Sequence, residues 1–312
     1  MPFERRTFVV ALLIALALAG CGKRDFGTTP SDTPPPSPTP APTGTAIIAL
    51  GDIGQSGGPV KEVSDLIKVW RKKFEKVYIL LLGDLAYPHG SREDYATNLK
   101  PYYGSETDSL MQFLYPVPGN HEYDIPGVPY YFEFFRERVF TEEPGYYDFA
   151  AGPCHVIALN DNIPHRRGSA QYEWLRVKLE SHPVRCTVVF WHKPRFSSSR
   201  NGDTQSLDDI WRLLYEHHVK FVLNGHEHLY ARYAPQTPRE EPDAVRGVEQ
   251  FIVGTGGANL YGCEERGKKP GNEACIVEHG FLVLELGEAE LTRRFVTLPA
   301  GVTKDEGKEA YR

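Results

Sequence analysis

The chain has 312 residues, of which 41% are hydrophobic and 24% charged, a globular composition with enough apolar material for a sizeable core. The formal net charge is −6 and no block of Lys and Arg stands out. That argues against a nucleic-acid partner, whose phosphates demand a basic face.

In chain order, Arg5 and Arg6 precede an apolar run from Phe8 to Gly20. The run is too short to cross a bilayer comfortably, which takes about 20 residues. It ends in Leu18-Ala19-Gly20-Cys21, which resembles the lipobox of bacterial lipoproteins. The resemblance implies a signal peptide over 1–20, cleavage before Cys21 and acylation of its thiol and new amino group. Several acyl chains on one residue anchor stably, whereas one holds only marginally. The expectation is export, with the membrane contacted through the lipid only. Gly22 is not acidic, which leaves an outer-membrane address open. Residues 21–45 are rich in Pro and Thr, with Pro34, Pro35, Pro36, Pro38, Pro40 and Pro42, and have no apolar periodicity to bury. Such a stretch is extended and semi-rigid, a spacer between membrane and body.

The body, 46–300, carries five short apolar runs that each end in polar residues. Ala46–Leu50 leads into Gly51-Asp52, and Val77–Leu82 into Gly83-Asp84. Leu114–Pro118 leads into Gly119-Asn120-His121, and Val188–Trp191 into His192. Phe221–Leu223 leads into Asn224-Gly225-His226-Glu227-His228. Runs this short and continuous read as strands buried on both faces. Helical stripes lie between them: Val63, Ile67, Val69 and Trp70; Tyr172, Leu175 and Leu179; and Leu207, Ile210, Trp211 and Leu214, the last with Ser206 as a candidate cap. Alternating strands and helices predict an α/β fold with largely parallel central strands, where ligands gather at the strands' carboxyl ends. Towards the C-terminus, Gln250–Val253 reads as a strand and Phe281–Leu286 with Leu291–Thr297 as a β-hairpin. Residues 301–312 are read as a tail.

Besides Cys21 there are four cysteines, which allow three pairings in an exported protein. Cys263 and Cys275 flank a loop rich in Gly, Lys and Glu and are the favoured pair. Cys154 and Cys186, each beginning an apolar strand, make the second. None has zinc-site spacing.

Singly, a Gly-Asp after a strand is usually a turn, and a lone histidine a satisfied polar side chain. In order, however, the chain reads Gly-Asp-x-Gly, Gly-Asp-x-x-Tyr, Gly-Asn-His-Glu, Val-x-x-His and Gly-His-x-His. This series resembles the purple acid phosphatases of the calcineurin-like metallophosphoesterase superfamily, over Ala46 to Tyr230 with further likeness to about Thr297. The resemblance implies a four-layer α/β/β/α sandwich, with two mixed sheets flanked by helices, in place of a single sheet. It implies that Asp52, Asp84, Tyr87 and His228 hold one ion, ferric iron in the family. Asp84 would bridge to a second, divalent ion (iron, zinc or manganese), completed by Asn120, His192 and His226. It also implies that His121 sits beside the substrate, to stabilise the transition state or protonate the leaving oxygen.

The residue types suit that reading. Carboxylate, phenolate, amide and imidazole are hard-to-intermediate ligands for iron, manganese and zinc, and no thiolate takes part. A ferric–divalent pair would leave the site net positive, which favours a phosphate dianion. A free tyrosine loses its proton only near pH ~10, and a trivalent cation at bonding distance would bring that below neutral. The implied reaction is in-line attack on the phosphorus of a small phosphate monoester by a metal-bound hydroxide. Glu122 and Glu227 read as supporting or surface groups. One departure concerns the stretch after His192: where many relatives place a histidine before a glycine, this chain has Asn201-Gly202, and Asn201 is no acid. Arg195 and Arg200 are further candidates for phosphate contact, although surface positions are their default. The alternatives are a phosphodiesterase acting on nucleotides or lipid head groups and, in another class, an inactive surface binding module.

Overall fold

The computed structural model describes residues 42–104, 107–136, 145–182 and 184–311. The expected signal peptide, Cys21 and nearly all of the expected Pro/Thr-rich linker lie outside these residues. Among the described residues, no helix is long and apolar enough to cross a membrane.

Among the described residues, thirteen strands build two sheets. The first contains β1 (Thr45–Leu50), β2 (Lys76–Leu82), β3 (Leu114–Val117), β11 (Gly280–Leu286), β12 (Glu290–Thr297) and β13 (Val302–Ala310), in the order β13-β12-β11-β1-β2-β3. The second contains β4 (Tyr147–Ala151), β5 (Cys154–Ala158), β6 (Cys186–Phe190), β7 (Phe221–Asn224), β8 (Tyr230–Gln236), β9 (Val248–Val253) and β10 (Asn272–Ile276). Its order is β10-β8-β9-β7-β6-β5-β4. Parallel pairing is confined to β1-β2-β3 and β5-β6-β7-β9, while the flanking strands pair antiparallel. Both sheets are therefore mixed, and the single largely parallel sheet suggested by strand–helix alternation gives way to two.

The continuous apolar runs follow from this layering. On β5 and β6, Val156, Val188 and Phe190 face the core between the sheets, while Ile157 and Val189 face the opposite way. That second face is covered by helices Ala170–Ser181 and Asp208–Glu216, through Tyr172, Leu175, Ile210, Trp211 and Leu214. Helix Val60–Arg71 lays Val63, Ile67 and Trp70 on the first sheet, where Trp70 meets Phe281 edge-on, while Val69, two residues beyond Ile67, turns off that face and is exposed. With both faces buried, neither strand can show alternation. The result is helix, sheet, sheet, helix.

Two local expectations change. Ser206 caps nothing: Gln205–Leu207 is a 3₁₀ turn, in which the Leu207 N–H donates to the Thr204 carbonyl three residues back (3.2 Å), and the α-helix starts only at Asp208. Residues assigned to a tail form β13, antiparallel to β12 from Val302 to Ala310. Its Asp305 and Glu309 accept hydrogen bonds from Arg293, so charge partners rather than apolar residues hold it. The structure contains both disulfides, Cys154–Cys186 between the first residues of neighbouring parallel strands and Cys263–Cys275 across the Gly-rich loop.

Candidate metal centre and its surroundings

The five polar clusters converge where the carboxyl ends of the two sheets meet. The backbone N–H of Gly51, after β1, donates to the carbonyl of Val253 at the end of β9 (2.8 Å), and Asp52 N–H donates to Gly83 (3.0 Å). Two glycines make the approach possible. A Cβ on Gly83 would stand 2.5 Å from Nδ1 of His192, and one on Gly119 would overlap the carboxylate and backbone of Asp84. Three clustered side chains sit on left-handed backbone: Asp52 at φ 57°, Asp84 at 51° and His226 at 70°. Such conformations cost about 1–3 kcal/mol each in non-glycine residues and persist where the surroundings over-determine them.

Two groups of donor atoms result, sharing one oxygen. In the first, the phenolic Oη of Tyr87 lies 3.1 Å from Oδ1 of Asp52, 3.1 Å from Nε2 of His228 and 3.3 Å from Oδ2 of Asp84. In the second, Nε2 of His192 lies 3.2 Å from that same Asp84 Oδ2, 3.2 Å from Oδ1 of Asn120 and 3.2 Å from Nδ1 of His226. Asp52, Asp84 and His192 are fully or almost fully buried. All seven residues expected to bind metal are thus brought together, in the two sets expected, with Asp84 common to both.

The structure also shows what aims them. Nδ1 of His192 faces the Leu82 carbonyl (2.8 Å) and Nδ1 of His228 the Asn259 carbonyl (2.7 Å), so both rings turn Nε2 inward. Oriented this way, imidazoles are set as ligands. Glu122, buried, accepts N–H bonds from Gly119 (2.7 Å), Leu85 (2.9 Å) and Asp84 (3.0 Å), tying the loop after β2 to the loop after β3. Asp161 accepts from the backbone N–H groups of His192 and Lys193. The sequence reading missed Asp161, although it too follows an apolar strand, β5; no glycine precedes it to draw attention.

The protonation equilibria test whether a cation suits the pocket. Burial pushes the Tyr87 phenol well above its ordinary pKa, and the carboxylates of Asp52 and Asp84 push it further. Burial alone would raise Asp84 too, but the charge and hydrogen bond of His192 outweigh it and hold the carboxyl below the usual range. Against its own desolvation, His192 beside Asp84 keeps a proton up to about 10. Burial, then the charge of His192, drives His226 down to about 3. The shifts of Tyr87 and His192 share one cause: buried oxygen and nitrogen lone pairs crowd together and favour positive charge among them. A bound cation would supply that charge, relieve the crowding of lone pairs and reverse the sign of the field on Tyr87. The donor set fits a dinuclear centre.

His121 stands at the rim. Its backbone N–H donates to Oδ1 of Asp84 (2.9 Å), its Nδ1 faces the Pro88 carbonyl (2.6 Å), and its Nε2 lies 3.8 Å from Oδ2 of Asp84. The candidate substrate contacts fare differently. Arg195 is buried against Phe196, with Nε 2.7 Å from Oδ1 of Asp208, so it is committed to the start of a helix and is withdrawn as a phosphate contact. Arg200 is exposed, paired with Glu265 and stacked over Tyr261 (4.2 Å). Asn201 donates through Nδ2 to the His226 carbonyl (3.2 Å). Tyr261 was not singled out by sequence: its ring stacks on His228 at 4.1 Å and 15°. Nothing in its Gly-rich surroundings advertises that contact.

The family model described as calcineurin-like phosphoesterase matches residues 45–230, which is more than half of the chain and spans all five clusters. The chain belongs to the calcineurin-like phosphoesterase family. Purple acid phosphatase 15 of Arabidopsis thaliana is 27% identical over 258 residues, covering 72% of this chain and 47% of that protein. Purple acid phosphatase 21 of the same plant is 28% identical over 240 residues, covering 70% and 51%. The chain thus spans about half the length of these relatives. Among solved structures, the purple acid phosphatase PPD1 from yellow lupin (Lupinus luteus) seeds superimposes with a TM-score of 0.73 at 18% identity, covering 88% of this chain and 55% of that one. At that identity the superposition establishes the fold: two mixed sheets flanked by helices.

Proposed function

We propose that this phosphoesterase-family chain hydrolyses phosphate monoesters at a dinuclear centre of one ferric and one divalent ion. One observation carries the reading: Oδ2 of Asp84 lies within 3.3 Å of the phenol of Tyr87 and 3.2 Å of the imidazole of His192, so a single carboxylate joins both donor groups. Asp52, Tyr87 and His228 would hold the ferric ion with Asp84, and Asn120, His192 and His226 the divalent one. When bound, the ion pair supplies an activated water and neutralises charge on the phosphoryl oxygens.

The remaining steps belong to the chain. The Leu82 and Asn259 carbonyls fix the inward nitrogens of His192 and His228, so the ligands need no reorganisation. His121, with Nδ1 engaged by the Pro88 carbonyl, presents Nε2 toward the site and can hold a proton for the departing alcohol oxygen. Asn201 offers amide N–H groups and no transferable proton, so leaving-group protonation falls to His121 or to water.

The test is phosphate release from 4-nitrophenyl phosphate, with bis(4-nitrophenyl) phosphate beside it and a metal-stripped sample as control. Metal-dependent cleavage favouring the monoester supports the reading. Preference for the diester would move the function to a phosphodiesterase. Absence of both activities in metal-replete protein would leave a binding module. The proposed setting is outside the cytoplasm, anchored through acylated Cys21; the lipobox-like Leu18-Ala19-Gly20-Cys21 and the Pro-rich spacer support it.

A further inference from the structure

Segment 197–202 lies along the rim of the centre and reaches both donor groups. Through Nδ2, Asn201 touches the carbonyl of His226, which belongs to one group. Arg200 covers the ring of Tyr261, whose other face stacks on His228 of the other group. Both residues are exposed; Nε and Nη2 of Arg200 pair with Glu265, and a guanidinium beside an amide is a chemistry suited to the oxygens of an anionic phosphate ester.

One carboxylate oxygen underlies this segment. Oε1 of Glu227 accepts the hydroxyl of Ser197 (2.8 Å) and the backbone N–H groups of Asn201 (2.9 Å) and Gly202 (2.9 Å). Glu227 is fully buried between His226 and His228, and Ser197 is buried with it. Elsewhere the segment is fastened to the loop closed by Cys263–Cys275. Ser199 Oγ donates to the Gly262 carbonyl (2.8 Å), Ser198 Oγ to that of Cys263 (3.2 Å), and Arg266 Nε to that of Arg200 (2.6 Å). Residues 200–202 thus have Glu227 beneath them and the disulfide loop beside them.

We infer that Glu227 is a positioning residue for substrate binding, holding the 197–202 segment so that Arg200 and Asn201 meet the phosphate ester. The inference rests on the phosphoesterase reading of the site. Removing the carboxylate strands three donors, two of them buried, and the segment must then rearrange to find partners. A glutamine keeps an acceptor oxygen at the same reach and restores them. The neighbouring ligands His226 and His228 are aimed by other contacts, so their metals should stay.

The experiment measures three quantities on metal-loaded protein: bound metal by mass spectrometry, the Kd for inorganic phosphate by calorimetry, and KM and kcat for 4-nitrophenyl phosphate. Glu227→Ala should raise Kd and KM about tenfold with metal content unchanged, and Glu227→Gln should return both to within about threefold of the parent. Ser197→Ala, which removes one of the three donors, should fall between them and carries the test if Glu227→Ala does not fold. Metal loss in step with weakened binding would overturn the inference and make Glu227 a support for the histidines. Unchanged Kd in metal-replete Glu227→Ala, or in Ser197→Ala, would overturn it as well. A parent protein that binds phosphate but hydrolyses nothing would sink the phosphatase reading alone, since the Kd comparison stands without turnover.

Discussion

The phenolic oxygen of Tyr87 lies 3.1 Å from Nε2 of His228, a donor atom whose ring is held from behind by the Asn259 carbonyl. Burial and the carboxylates of Asp52 and Asp84 favour the protonated phenol. A trivalent ion between the phenol and His228 would make the phenolate the stable form, and phenolate-to-ferric charge transfer should colour the protein violet or pink. Tyr87→Phe should bleach that band in iron-loaded protein without lowering Tm by more than a few degrees. An iron-replete, active and colourless parent would remove Tyr87 from the ligand set and leave the phosphoesterase assignment standing.

Because Oδ2 of Asp84 belongs to both donor groups, its loss should disturb both ions. Asp84→Asn is expected to lower kcat at least ~10³-fold and to reduce bound metal by more than half, while circular dichroism stays at the parent spectrum. His192→Ala should act mainly on one ion. Full metal content with near-parent turnover in either variant would contradict the shared-oxygen arrangement.

Glu122 binds the N–H groups of Gly119, Leu85 and Asp84 from a fully buried position. Glu122→Ala strands them, at about 1–3 kcal/mol for each unsatisfied group before relaxation. Urea denaturation should therefore show a loss of roughly 3 kcal/mol or more. A loss under 1 kcal/mol would mean that the two loops hold themselves.

Glu249, buried on β9, should set a pH dependence far from the centre. Burial, then the charge of Glu309, pushes its carboxyl up to about 8 from an ordinary value of 4.5. Between those limits the folded state holds a proton that the unfolded chain has released. Stability must then fall as pH rises from about 4.5 to about 8. Differential scanning calorimetry on metal-free protein should show this decline, and Glu249→Gln should remove most of its slope. A variant with the parent's slope would show that other groups set the dependence.

The proposed anchor makes an independent prediction. Cys21→Ser removes the acceptor thiol, so the protein should leave the membrane fraction or accumulate as unprocessed precursor. Unchanged fractionation, with no lipid mass on the mature N-terminus, would refute acylation.

Much of the centre was readable along the chain because its residues sit at fixed offsets from strand ends. A strand buried on both faces is a short apolar run, and its first polar residues mark the edge where ligands gather. Asp52, Asp84, Asn120, His192, His226 and His228 all occupy such places, and Tyr87 follows Asp84 by three residues. Glycines 51, 83, 119 and 225 mark the same points: a Cβ on Gly83, Gly119 or Gly225 would collide with His192, Asp84 or Asp52, and one on Gly51 would press against Leu82. The α/β class was legible for the same reason: strands and helices differ in period, and period is a local property.

What the sequence could not contain was pairing between distant segments. Division into two sheets depends on β11 adding antiparallel to β1 while β9 joins β7, and neither choice leaves a local mark. Glu122 and Glu227 look alike as acids beside ligands; their different duties follow from which loops fold against them. Arg195 looked available for phosphate until Asp208 came within 2.7 Å, and Tyr261 had no distinction until its ring met His228. The charged segment 302–310 has no apolar stripe to announce a strand, because ion pairs and an open sheet edge hold it. Sequence by itself determined which atoms could bind metal and on which side of the strands they lie. Tertiary structure decided which of them stand within reach of one another and which acids hold the loops in place, because those are matters of distance between residues far apart in the chain.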